Sequence, residues 1–179
     1  MSEIKVGIIA APGFPMDLSE TLAEQMPTSL NSKLKEDIKW TFECVSDPLI
    51  GSAEDINKSL DAAQSLKTHH KWDYAIVVTD LPIVEQRKVI VGNLDEPMAT
   101  GLISIPALGL FGVKRKLKQC LLYFAEIIYL HQSNEAYQTK KLNLSLFTRV
   151  KPIRNIFDDK QENDMETKDD QEAGDDTSH

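Results

Sequence analysis

The chain is poor in the residues that usually announce a chemistry. Its two cysteines, Cys44 and Cys120, stand far apart and form no C-x-x-C pair. That excludes a disulfide framework and a zinc knuckle, and a reducing cytoplasm is the expected compartment. The most apolar stretch, residues 120–130, is 11 residues long and contains Glu126, whereas a membrane span needs about 20 apolar residues. The opening MSEIKVGIIAAPG has no basic segment ahead of a long apolar one, so no signal peptide is expected. Missing as well are G-x-G-x-x-G, G-x-x-x-x-G-K-[ST], H-E-x-x-H and G-x-S-x-G. With them go the sequence grounds for a dinucleotide fold, a P-loop, a zincin and a nucleophile elbow. His69-His70 beside Lys71 lacks further ligands nearby in sequence, so no metal site is expected and no cofactor can be named.

What is present is ordinary globular composition, 41% apolar and 27% charged over 179 residues, enough for one core. The charge is unevenly placed. Residues 1–113 hold 9 Lys/Arg against 16 Asp/Glu, residues 114–157 hold 9 against 2, and residues 158–179 hold 2 against 10. The body is therefore neutral and the formal −8 equals the charge of the tail. A neutral body makes a poor general nucleic-acid binder, because nonspecific affinity needs many uncompensated cations. No nucleic-acid partner is expected.

Hydrophobic patterning gives the architecture. IKVGIIAA (4–11) is a buried strand ended by Pro12-Gly13; Asp17, with Glu20 three residues on, opens a helix that Pro27 interrupts. Residues 38–45 alternate as a second strand. Ser52 with Asp55 caps a second helix carrying Ile56, Leu60, Ala63 and Leu66. WDYAIVVT (72–79) is the third strand. Val89-Ile90-Val91 follows too soon for a helical crossover and is expected to return as an antiparallel hairpin partner. A further strand covers 99–105 and a long helix 113–132. The expectation is an α/β three-layer sandwich with a mixed, mostly parallel sheet in the order β-α-β-α-β-β-β-α. It divides into an α/β domain at 1–132, a basic extension at 133–157 that packs on it or on a partner, and a disordered acidic tail at 158–179. Leu142, Leu144 and Leu146 alternate in a strand-like way ahead of Pro152.

Four loops share one signature, a strand end followed by a small or polar residue and proline: Ala11-Pro12-Gly13, Ser46-Asp47-Pro48, Thr79-Asp80-Leu81-Pro82 and Ser104-Ile105-Pro106. Parallel strands would bring their loops to the carboxyl edge, where open α/β sheets bind ligands. Gly13, Asp47, Thr79 and Asp80 are then candidate ligand-binding residues, with Asn93 and Asp95 in the loop after the hairpin strand. Asp80 and Asp47 are also the candidate catalytic carboxylates, as general base or as oxygen ligands of a hard cation. The plainer reading is that aspartate before proline forms a turn.

Gly109-Leu110-Phe111-Gly112-Val113-Lys114-Arg115-Lys116 is the second candidate. Cations in a helix's first turn oppose its dipole, and a bound anion would offset them; Lys114 and Arg115 are the residues for it. Pairing with Asp80, Asp95 or Glu96, or simple exposure, is the alternative. The apolar second half of that helix either packs under residues 133–157 or offers a homo-oligomer interface. Lys140, Lys141, Arg149, Lys151 and Arg154, interleaved with Leu146, Phe147, Ile153 and Phe157, suit peripheral contact with an anionic membrane, which the acidic tail opposes. Three functions follow as expectations: binding of a small anionic metabolite in a regulatory role, an enzyme on a phosphorylated or carboxylated metabolite using Asp80, or an interaction or membrane-peripheral module.

The strings IIAAPGFP, VSDPL, WDYAIVVTDLPI and ISIPALG together resemble a bacterial family of α/β domains, some stand-alone and some preceding transmembrane segments. The resemblance covers about residues 4–131 and implies no established activity. A methylene-tetrahydrofolate dehydrogenase label sometimes attached to such chains finds no Gly-rich dinucleotide loop here. Thr79-Asp80, the hairpin to Val91-Gly92 and Gly101-Leu-Ile-Ser-Ile are also similar to the strand pair ahead of the metal helix in archaemetzincin-type zinc peptidases. That alignment puts H-E-x-x-H at Ala125-Glu126-Ile127-Ile128-Tyr129, where only Glu126 matches. Zinc hydrolysis by that motif is thereby excluded.

Overall fold

The N-terminal apolar run forms β1 (Glu3–Ala10), a strand covered on both faces. Val6, Ile8 and Ala10 enter one half of the core while Ile9 and the following Ala11 enter the other, as the two-residue period of a strand requires. A computed structural model describes residues 3–50, 56–85, 88–133 and 151–152. Along the chain come α1 (Phe14–Ala23), α2 (Met26–Leu34), β2 (Lys39–Ser46), α3 (Ile56–His70), β3 (Tyr74–Thr79), β4 (Ile83–Glu85), β5 (Lys88–Ile90), β6 (Gly92–Asp95), β7 (Thr100–Ser104), α4 (Val113–Gln132) and β8 (Lys151–Pro152).

The main sheet runs β2-β1-β3-β7-β6-β8. β2, β1, β3 and β7 are mutually parallel, and β6 is antiparallel to β7. The mixed, mostly parallel α/β arrangement is thus as the sequence implied. Leu22, Met26 and Leu30 of α1 and α2 pack with Leu117, Leu121, Phe124 and Ile128 of α4 on one face. Leu60, Ala63 and Leu66 of α3 pack with Ala75, Val77 and Leu102 on the other.

Two local expectations are corrected, the start of the first helix and the partner of the 89–91 run. The first helix begins at Phe14, with Gly13 as N-cap at φ 81° and no side-chain capping bond. Asp17 is inside the first turn, its N–H donating to Gly13 O at 3.0 Å. Pro15 explains the earlier start, because proline fits the first helical turn where its missing N–H has no partner to lose. α3 continues to His70, so His69 and His70 belong to its last turn. The 89–91 run does not pair with the third strand: β5 pairs with β4 in a separate two-stranded ribbon, and β7 takes the free side of β3 in parallel. The burial pattern gives the reason. Every residue of β7 is buried, as an interior parallel strand demands, whereas the ribbon buries Ile83 and Ile90 and exposes Val84 and Val89, which suits a one-sided position at the periphery.

The expected cap at Ser52 and Asp55 lies outside the described residues, as do the 142–146 stretch and the acidic tail. Of the basic extension, Ser133, the C-cap of α4, and Lys151–Pro152, parallel to Asn93–Leu94 of β6, are described. Among the described residues, no helix is long and apolar enough to cross a membrane.

Candidate functional site

Because β2, β1, β3 and β7 are parallel, all four proline-bearing loops leave the sheet at its carboxyl edge. Backbone bonds hold them side by side: Asp47 N–H donates to Ala10 O at 3.0 Å, Ala11 N–H to Val78 O at 3.0 Å, and Ile105 N–H to Thr79 O at 2.9 Å. The edge is therefore rigid at the exit of each strand.

Strand order also creates a reversal there. From β1 the chain passes through α1 and α2 to β2 on one side, then returns through α3 to β3 on the other side of β1. The two crossovers lie on opposite faces of the sheet. The chain leaves the carboxyl end of β1 toward α1 on one face and that of β3 toward the β4–β5 ribbon, whose Ile83 and Ile90 pack on the other; such a switch point is where open α/β sheets leave a crevice. Gly13 and Asp80 flank it. Gly13 is exposed, with no heavy atom within 4 Å of where a Cβ would stand, so its positive φ serves the sharp entry into α1.

The hydroxyls at the edge are occupied by structure. Thr79, buried, accepts from Leu81 N–H at 3.1 Å and donates to Ile50 O at 3.4 Å. Ser104, also buried, donates to Leu81 O at 2.7 Å. Together they clamp the 79–82 loop and leave Asp80 outward and exposed. Ser104 belongs to one of the four signature loops, but nothing local in the sequence identifies its role, since its acceptor lies in another loop.

Asp47 takes its plainer reading: its Oδ1 accepts from Leu49 N–H at 2.9 Å, closing a turn. It stands two strands from Asp80 with β1 between them, roughly 9–10 Å of sheet. The structure does not bring the two carboxylates into a pair. Asn93 and Asp95 are corrected outright, because both lie within β6 and not in a loop. Asn93 sits opposite Leu102, on the α3 side of the sheet, and Asp95 opposite Thr100, at the far edge. There Asp95 Oδ1 accepts from Met98 N–H at 3.0 Å. Antiparallel pairing of β6 is the cause, since it reverses which strand end meets the carboxyl edge.

Lys114 and Arg115 are exposed in the first turn of α4, which starts at the carboxyl edge on the same face as α1. The N-cap is Gly112, without a side-chain bond, and the first turn holds no acidic residue. Lys116 is committed, donating to Leu108 O at 2.7 Å, and Lys118 donates to Gln25 Oε1 at 3.1 Å. The ion pairs among the described residues, Lys33–Glu126, Lys39–Glu3 and His70–Glu43, involve neither Lys114 nor Arg115. Among the described residues no group of three or more His, Cys, Asp or Glu is placed to hold a metal ion.

Glu126, at the one position shared with the archaemetzincin motif, is buried on α4 and paired with Lys33 of α2. Its neighbour one turn on, Tyr129, donates to a Glu36 carboxylate oxygen. No family model matches the chain, and no curated protein matches it. Two solved structures are similar. Archaemetzincin from Methanopyrus kandleri has 15% identity and a TM-score of 0.46, over 72% of this chain and 69% of that one. A zinc-dependent peptidase from Methanocorpusculum labreanum has 12% identity and a TM-score of 0.40, over 66% of this chain and 75% of that one. The faint similarity seen in the sequence thus has a weak structural counterpart, and at this level it carries no argument about chemistry.

Proposed function

We propose that the protein binds a small anionic ligand, a phosphate ester or a carboxylate, at the carboxyl edge of its sheet, in a binding or regulatory role. The observation that carries the reading is the switch point between β1 and β3, where the chain leaving β1 enters α1 on one face and the chain leaving β3 enters the β4–β5 ribbon, whose Ile83 and Ile90 pack on the other. Ligands of open α/β sheets settle outside the strand ends at such a reversal. The charge supports an anion: Lys114 and Arg115 stand at the same edge and face as Gly13, exposed and outside the ion pairs described above. Asp80 borders the crevice and selects by repelling ligands of high negative charge. No specific observation favours catalysis, because Asp47 is held by its own turn and stands two strands from Asp80.

The test is a thermal-shift series on the full chain with inorganic phosphate, phosphosugars, nucleotides, folates and carboxylates. A ligand at a hundred times its dissociation constant adds about 2.7 kcal/mol, which raises the midpoint of a domain of this size by roughly 5–10 °C. The shift is expected to disappear in Lys114→Ala/Arg115→Ala. A flat series, or a shift retained by that variant, would overturn the reading.

A further inference from the structure

Seven large apolar side chains are exposed among the described residues, and their placement is not random. Phe14 follows β1, Leu49 follows β2, Val84 and Val89 form the outer pair of the β4–β5 ribbon that follows β3, and Leu110 and Phe111 follow β7. All six stand at the carboxyl end of the sheet; the seventh, Met98, is at the other end. Leu110 and Phe111 are 92% and 85% exposed, far beyond what a pair of adjacent large apolar residues needs for packing within the chain.

We infer that this edge docks on an anionic bilayer surface, its apolar tips entering the headgroup boundary and Lys114 and Arg115 meeting lipid phosphates. The inference rests on the anion-binding reading above and names the source of the anion. Two features select a bilayer as the occupant. The tips come from four separate connections along parallel strands spaced about 4.8 Å apart, so they form a broad row that a flat surface can touch together and a small ligand cannot. The most exposed pair, Leu110–Phe111, leads directly into a helix start whose first turn holds cations and no acid; apolar tips beside exposed Lys/Arg are the pattern that anionic lipid surfaces hold. Asp47 and Asp80 lie on the same edge. Asp47 is turned onto Leu49 N–H, while Asp80 and, in the first turn of α1, Asp17 are exposed carboxylates that oppose the surface.

The experiment is sedimentation of the full chain with phosphatidylglycerol vesicles and with phosphatidylcholine vesicles at low salt, alongside the thermal shift with inorganic phosphate. The expected result is binding to the anionic vesicles alone. It should weaken about tenfold in Leu110→Ser/Phe111→Ser and strengthen in Asp80→Asn, with the phosphate shift unchanged in the serine variant. If the parent chain binds no anionic vesicles but shows the phosphate shift, the bilayer is overturned and the anion site spared. If the parent chain shows neither, both are overturned. Equal binding to the two vesicle types, or a dimer in light scattering whose dissociation follows the serine substitutions with no vesicle bound, also overturns it.

Discussion

Gly7 is a glycine because the Trp72 indole occupies the place of its side chain: a Cβ there meets the ring at 1.9 Å. Trp72 is itself fixed, stacked on His70 at 4.4 Å and donating Nε1–H to Glu43 Oε2 at 2.8 Å. Gly7→Ala is expected to cost about 1–3 kcal/mol through overpacking, seen as a lower urea midpoint at unchanged slope. The sequence carries only half of this, since a glycine inside a strand signals close approach without naming the neighbour. The cysteines are packing residues, Cys120 buried and Cys44 half-buried. Burial pushes Cys120 up to about 12, and burial with the nearby Glu20 and Glu43 carboxylates pushes Cys44 up to about 11, against an ordinary 9.0. The folded chain keeps these protons where the unfolded chain releases them. Their contribution to stability is therefore complete below pH 9 and is lost as the pH rises through about 11 and 12. A disulfide reagent at pH 8 should accordingly modify the native chain far more slowly than the urea-unfolded chain; equal rates would contradict the burial of both thiols.

At the scale of elements, long periodic segments were legible and short ones were not. α4 spans Val113–Gln132, the range its apolar period implies, because twenty residues of one pattern outweigh any local competition. The 83–95 region has no such redundancy. Runs of three or four apolar residues fit several partners, and the choice among them was made by β7, a strand later in the chain that claimed the open side of β3. Docking of α2 on α4 through Lys33 and Glu126 was equally out of reach, since each charge alone looks like a solvated face. Glu126 is nearly enclosed, with 11% of its side chain exposed, while in the pair of Lys39 with Glu3 the side chains are 64% and 42% exposed. Lys33→Met should therefore lower the urea midpoint clearly, by about 1–3 kcal/mol for an abandoned buried acceptor, whereas Lys39→Met should fall within about 0.5 kcal/mol of the parent. Equal effects would mean that Glu126 is better solvated than its burial implies.

At the scale of the whole molecule, what the proposed function rests on is the order β2-β1-β3-β7 and the faces its connections take. The sequence allowed the convergence of four proline loops to be expected, and with it Gly13, Thr79 and Asp80 at one edge. It could not show that β6 enters reversed, which takes Asn93 and Asp95 out of the loop cluster, nor that the Thr79 and Ser104 hydroxyls clamp the 79–82 loop. Those facts depend on pairings between distant segments. The charge split near Lys114 keeps its meaning, because the basic helix start lies at the edge that carries the acidic loops. The most direct test of anion binding at that edge is a backbone-amide NMR titration of the full chain with inorganic phosphate. The account predicts saturable shifts concentrated at Gly13, Phe14, Asp80, Leu81, Lys114 and Arg115, with Asn93 and Met98 still. Shifts centred on the Met98 end of the sheet, or no saturable shift at the first group, would contradict it.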